Sequence, residues 1–132
     1  MDRKKLIKRL IYLIFLILLV NFTANKLYWY SSIWYLDMIM HFLGGFWVTL
    51  TMFYIFSPKK VTLALIWKTL LFVLVVGIGW EWYEILVNEI IARNPFNYLD
   101  AFSDIAFDLA GGALAILYLF KRIMLVQKSE VQ

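Results

Sequence analysis

The chain of 132 residues contains no cysteine, one histidine and two prolines, and only 17% of its residues are charged. The absence of cysteine excludes a disulfide scaffold and a thiolate metal site. The low charge argues against a soluble domain, in which about 25% of residues are charged and about 45–50% are apolar. Here 64% are hydrophobic, which is more than so small a chain can bury. The excess apolar surface must therefore face a medium other than water.

Long apolar stretches predict that this medium is a lipid bilayer, because a membrane-spanning helix needs about 20 mostly apolar residues. The stretches that qualify lie at about 6–24, 33–56, 62–91 and 101–126. Pro58 and Pro95 lie in two of the short connectors, where proline ends a helix. The sequence predicts an all-α integral membrane protein, a four-transmembrane-helix bundle that forms a single membrane domain over residues 1–132.

The first apolar stretch has a second interpretation, because a basic start before an apolar core also describes a secretory signal peptide. Residues 21–25, which follow the core, lack the pair of small residues at which such a peptide is cleaved. We therefore expect the first stretch to remain as a membrane anchor.

The lysines and arginines predict the orientation of the chain. Eleven of the thirteen lie in the first nine residues, around the second connector or in the C-terminal tail, and only Lys26 and Arg93 lie in the other two connectors. The positive-inside rule then places both termini in the cytoplasm. We expect the chain to cross the cell membrane several times. Bases along a membrane face are attracted by anionic lipid, so we expect membrane lipids and no nucleic acid as partners.

Acidic residues concentrate in the opposite half of the predicted bundle. They are Asp37, Glu81, Glu84, Glu89, Asp100, Asp104 and Asp108, seven of the nine acids in the chain. The inner half then holds eleven bases and two acids, and the outer half two bases and seven acids. The net charge of +4 is thus the sum of +9 on one side and −5 on the other.

Helical spacing groups these acids on helix faces, because residues three or four positions apart share a face. The pairs are Asp37 with His41, Glu81 with Glu84, and Asp104 with Asp108. Small residues, among them Gly44, Gly77 and Gly111, continue each face and allow helices to approach closely. We therefore expect the last three spans to bring their acids to one level of the membrane.

Buried acids at this level need compensation, since a charge at the bilayer centre costs about 2.5–3.5 kcal/mol even on the lenient insertion scale. Lys26, Arg93 and His41 are too few to pair with them, which leaves shared protons or a bound metal. A divalent metal fits better, and carboxylates favour Mg²⁺, Mn²⁺ or Ca²⁺ while a histidine also admits Zn²⁺ or Fe²⁺. The predicted ligands are Asp37, His41, Glu81, Glu84, Asp104 and Asp108.

Three motifs in this order resemble the YjdF-like group of small prokaryotic membrane proteins and, more distantly, the VanZ-like proteins. The motifs are Asp37-Met-Ile-Met-His41-Phe-Leu-Gly44-Gly45-Phe, Trp80-Glu81-Trp-Tyr83-Glu84 and Asp100-Ala-Phe-Ser-Asp104-Ile-Ala-Phe-Asp108-Leu-Ala-Gly111-Gly112. The chain departs from the usual VanZ-like lysine at Met38 and from the usual YjdF-like acid at Asn88. The resemblance implies a fold and a polar site. It names no substrate, although VanZ-like proteins are associated with glycopeptide-antibiotic resistance.

Three functions are compatible with such a cluster. The first is a metal-dependent hydrolase or transferase acting on lipid or lipid-linked headgroups, with His41 or Glu84 as the catalytic base. The second is a component of proton or divalent-cation transport, which would require a homo-oligomer to enclose a path. The third is a non-catalytic membrane module in which the cluster holds the helices together or presents them to a partner.

Overall fold

The protein is built from helices. The computed structural model describes residues 3–58, 60–87 and 97–129, with side chains as far as residue 123. The elements are α1 (Arg3–Lys26), α2 (Trp29–Ser32), α3 (Leu36–Phe56), α4 (Leu63–Val87) and α5 (Tyr98–Ser129). Four of them, α1, α3, α4 and α5, are long and apolar enough to cross a membrane. The predicted all-α fold with four membrane-spanning helices is confirmed. The cytoplasmic placement of the termini stays a prediction.

The long helices begin within about three residues of their predicted starts, and the predicted end of the third span at residue 91 lies outside the described residues. The short helix α2 was not predicted. It follows Tyr28, whose backbone is left-handed at φ 55°, and the Tyr28 carbonyl accepts hydrogen bonds from the backbone of Ser31 and Ser32. This one turn folds the connector between α1 and α3 back toward the bundle.

Helix α3 is the centre of the bundle. It packs most extensively against α5 and also contacts α1 and α4. Leu50, Phe53, Ala115 and Leu119 form the apolar core between α3 and α5, each no more than 2% exposed. Helix α1 joins this core and is tied to α3 by the Trp47 indole, which donates a hydrogen bond to a backbone carbonyl of α1 at 3.0 Å.

Glycine is required at the crossing of α3 and α5. A Cβ added to Gly45 would collide with the backbone carbonyl of Asp108, and one added to Gly111 would collide with the carbonyl of Phe42. Gly79 on α4 faces open space instead. The two interface glycines therefore permit a backbone-to-backbone approach, and this approach carries the acids of α5 to His41 on α3.

Candidate metal centre

His41 lies at the middle of a polar cluster that α3, α4 and α5 build together. The residue is 6% exposed. Its Nε2 atom lies 3.9 Å from Asp37 Oδ1, 3.9 Å from Glu81 Oε1 and 4.0 Å from Asp104 Oδ2. One ring nitrogen thus faces carboxylates from all three helices. We call Asp37, His41, Glu81, Glu84, Asp104 and Asp108 together the acidic cluster.

The other ring nitrogen of His41 has a different neighbour. Its Nδ1 atom lies 3.4 Å from Asp108 Oδ2, within hydrogen-bond distance. Asp104 and Asp108 are 2% and 6% exposed, so both lie in the interior of the bundle. The two acids are one turn apart on α5, and they contact opposite sides of the same imidazole.

Glu81 places an oxygen in the interior without a partner. The residue is 7% exposed, and among the described residues its Oε1 atom has no hydrogen-bond partner. A buried carboxylate oxygen without a hydrogen-bond donor is costly, because the charge has lost water and its nearest base, His41, lies at 3.9 Å, beyond hydrogen-bond distance. Such an oxygen, aimed at His41 Nε2, is the type of donor atom that a bound cation stabilises.

Two members form the rim of the acidic cluster. The Asp37 side chain is 35% exposed. Glu84 is partly exposed and accepts a hydrogen bond of 2.8 Å from the Trp80 indole, one turn earlier on α4. The cluster therefore has a buried floor, formed by the acids of α5 and Glu81, and an accessible edge at Asp37 and Glu84.

Donor atoms in this arrangement lie close enough to share a cation. Two sets each hold their donor atoms within 4.8 Å of one another, Asp37 with His41 and Asp104, and His41 with Glu81 and Glu84. Ligands about 2.0–2.6 Å from an ion are separated by no more than roughly twice that distance. Five of the six predicted ligands belong to these sets, and Asp108 belongs to neither.

Bases contribute little to the charge balance of the acidic cluster. Within the part of the chain that the structure describes, no lysine or arginine lies within ion-pair distance of these carboxylates, and every ion pair they make is with His41. Asp100 is exposed in the first turn of α5. It belongs to neither set of donor atoms that could share an ion, and its charge acts on the cluster only through space. Glu89 and Arg93 lie outside the described residues.

Tyr30, on the short helix α2, lies near enough to the acidic cluster to feel its charge, and it was not among the predicted site residues. Its hydroxyl donates a hydrogen bond to Asn21 Oδ1 at 2.7 Å. The pKa of Tyr30 is raised from 10.0 to about 12 by burial and, to a smaller extent, by the negative charges of Asp37 and Glu84. Helix α2 therefore holds a neutral phenol beside the rim of the acidic cluster. The shortness of the connector was the one hint of this placement.

The fold and the cluster define a helical membrane protein with four spans and a buried group of acids around one histidine. Residues 1–124 match the family described as Predicted membrane protein (DUF2238), and the chain belongs to that family. Comparison with curated proteins and with solved structures gave no match.

Proposed function

We propose that the protein binds a divalent cation at the acidic cluster. The observation that supports this most strongly is the convergence of three carboxylates on His41 Nε2, with the Oε1 atom of Glu81 buried and unpartnered among them. A solvated polar network would give that oxygen a hydrogen-bond donor. A cation contacts several such oxygens at once.

Charge favours the same proposal. Five ionised carboxylates carry −5, and even a protonated His41 leaves −4 in a low-dielectric interior, where like charges repel strongly. One divalent cation removes two of these charges, and a second would remove two more. Oxygen donors suit Mg²⁺, Mn²⁺ and Ca²⁺, while the imidazole adds affinity for Zn²⁺. These four ions are the ones to test.

The binding experiment uses the full chain in detergent, after treatment with a chelator, with each of the four ions titrated by calorimetry. We expect saturable binding to the wild-type protein and a loss of at least tenfold in affinity for Asp104→Asn. Asp100→Asn is the matched control, since it lies one turn away on the same helix and is exposed. The proposal fails if the wild-type protein binds none of the ions, or if both variants bind like the wild type.

We further propose that the cation faces the outer side of the cell membrane and serves a reaction on lipid or lipid-linked headgroups. Arg3, Arg9 and Arg122 lie near the opposite end of the helices and would face the cytoplasm. The rim at Asp37 and Glu84 is the edge that a headgroup can reach. Because His41 is enclosed by acids, Glu84 is the better general base. The resemblance to YjdF-like and VanZ-like proteins is compatible with this proposal and supplies no substrate.

The reaction is tested by incubating the protein in vesicles of defined phospholipid with the ion that binds. We expect release of phosphate or of a headgroup. We expect this activity to be lost in Glu84→Gln even at an ion concentration that saturates the variant, because the general base is removed. Cation flux across the vesicle wall, abolished by Glu81→Gln and without lipid turnover, would replace the enzyme hypothesis by transport. If neither activity is found and the protein unfolds when the ion is chelated, the cation has a structural role only.

A further inference from the structure

Asp108 contacts a different nitrogen of His41 from the one that the other acids face. Its Oδ2 atom lies 3.4 Å from Nδ1, whereas Asp37, Glu81 and Asp104 lie 3.9–4.0 Å from Nε2. We propose that Asp108 is a positioning residue, which holds His41 with the proton on Nδ1 and the Nε2 lone pair directed at the other three carboxylates. The role of that lone pair as a ligand rests on the proposed cation binding.

The chemistry of imidazole gives this contact its consequence. A neutral ring has one nitrogen that donates and one that accepts, and the hydrogen bond made by one nitrogen decides the state of the other. A carboxylate can only accept a hydrogen bond. The Asp108 oxygen at 3.4 Å is within hydrogen-bond distance of Nδ1, whereas the oxygens around Nε2 lie at 3.9–4.0 Å, beyond that distance. The hydrogen bond to Asp108 therefore favours the tautomer whose Nε2 is free. Histidines that bind metals commonly donate their second N–H to a carboxylate or a carbonyl in this way, which fixes the orientation of the ring.

Gly77 of α4 makes room for the Asp108 carboxylate. A Cβ at this position would lie 2.6 Å from Asp108 Oδ2, whereas a Cβ at Gly44 of α3 would be in ordinary contact with Oδ1 at 3.7 Å. At Gly45 a Cβ would collide with the Asp108 backbone. A larger residue at position 77 would occupy the place of the oxygen that contacts His41. Gly77 thus leaves a slot for this carboxylate, while Gly45 permits the close approach of the Asp108 backbone.

A direct ligand role for Asp108, which its spacing from Asp104 predicts, fits this geometry less well. Asp108 belongs to neither set of donor atoms that could share an ion. Its contacting oxygen lies near Nδ1, whereas the other carboxylates lie near Nε2 of the same ring. An ion held by those carboxylates and Nε2 would meet Asp108 through the ring, as an electrostatic and orienting partner.

The presence of a single histidine makes the proposal directly measurable. Protein labelled with ¹⁵N only in histidine gives one pair of ring-nitrogen resonances, which report the tautomer of His41. In the neutral ring of the metal-free wild-type protein we expect the proton on Nδ1. We expect Asp108→Ala to shift the population toward the Nε2-protonated form and to weaken cation binding about 10- to 100-fold.

Conservative and matched variants separate positioning from folding. Asp108→Asn keeps an oxygen that accepts from Nδ1, so we expect it to restore the wild-type tautomer. Gly77→Ala keeps the carboxylate and obstructs its slot, and we expect it to shift the tautomer as Asp108→Ala does. Asp100→Ala, on the exposed part of the same helix, should leave the resonances unchanged.

Two results would overturn the proposal. One is a wild-type neutral ring that carries its proton on Nε2. The other is an Asp108→Ala protein that folds and keeps the wild-type tautomer. The tautomer is measured without metal, so this test is independent of cation binding. If the protein binds no ion but His41 carries its proton on Nδ1, the positioning role of Asp108 stands and only the cation proposal is rejected.

Discussion

The two ends of the bundle handle charge in opposite ways. At one end Arg3 lies over the ring of Tyr54 at 4.9 Å, and Arg9 and Arg122 lie over the ring of Tyr118 at 5.7 and 5.4 Å. We call these five residues the basic end. At the acidic cluster, whose His41 lies about 20 Å from Tyr54 along α3 at 1.5 Å per residue, five carboxylates converge on one imidazole.

Side-chain length explains the contrast. An arginine at a helix end can extend its charge to the membrane surface and cover an aromatic ring with its apolar stem. Aspartate and glutamate hold their charge close to the backbone, and those of the acidic cluster lie within the spans. The basic charges can therefore remain dispersed, whereas the buried acids need a shared partner.

The largest predicted effect comes from removing the crossing that creates the acidic cluster. In Gly111→Ala the new methyl group would meet the carbonyl of Phe42, and we expect a loss of about 3 kcal/mol or more in stability, at the upper end of overpacking effects. Thermal unfolding in detergent measures it. Gly79→Ala, where the added carbon meets open space, is the control, and similar behaviour of the two variants would contradict the packing described for α3 and α5.

Neutralising the buried, unpartnered acid should separate stability from cation binding. We expect Glu81→Gln to stabilise the metal-free protein by about 1 kcal/mol, because a buried charge without a hydrogen-bond donor is removed from among like charges. The stabilisation that the wild-type protein gains from metal, about 2.7 kcal/mol at an ion concentration of 100 times Kd, should largely disappear. Unfolding curves with chelator and with excess ion test both parts, and an unchanged response to metal would exclude Glu81 as a ligand.

Tyr30 gives a smaller, pH-dependent effect. Since its pKa is raised to about 12 in the folded protein, it stays neutral while an exposed tyrosine ionises near pH 10. Its contribution to stability is complete below pH 10 and is lost as the pH rises from 10 to 12. We expect Tyr30→Phe to lose about 1 kcal/mol at neutral pH with the hydrogen bond to Asn21 and to lack this alkaline component. The measurement is the tyrosinate absorbance of the wild-type protein minus that of Tyr30→Phe, followed as the pH is raised. A midpoint of this difference near pH 10 would contradict the burial of the phenol.

The smallest effect is expected at the basic end. Arg9→Gln removes one cation–π contact with Tyr118, which is worth about 0.5–1 kcal/mol at an exposed site. Cation affinity at the acidic cluster should not change. A loss of cation binding in this variant, measured by calorimetry, would show that the two ends are coupled.

Sequence periodicity was sufficient to predict the four spans and the meeting of acids from three of them. Residues such as Asp104 and Asp108 mark a helix face by their spacing alone. Spacing cannot tell which nitrogen of His41 each of them contacts, because this depends on how far α3 and α5 rotate and approach at Gly45 and Gly111. Helix α2 was not predictable either, since it depends on a left-handed backbone at Tyr28, a residue with no preference for that conformation.

Metal content tests the central claim most directly. The protein is purified in detergent from cells grown without added metal, and elemental analysis is compared between the wild type, Asp104→Asn and Asp100→Asn. We predict one or two equivalents of a divalent metal in the wild type and in Asp100→Asn, and a marked loss in Asp104→Asn. A folded wild-type protein that contains no divalent metal, and acquires none from Mg²⁺, Mn²⁺, Ca²⁺ or Zn²⁺, would contradict the claim that the acidic cluster is a cation site.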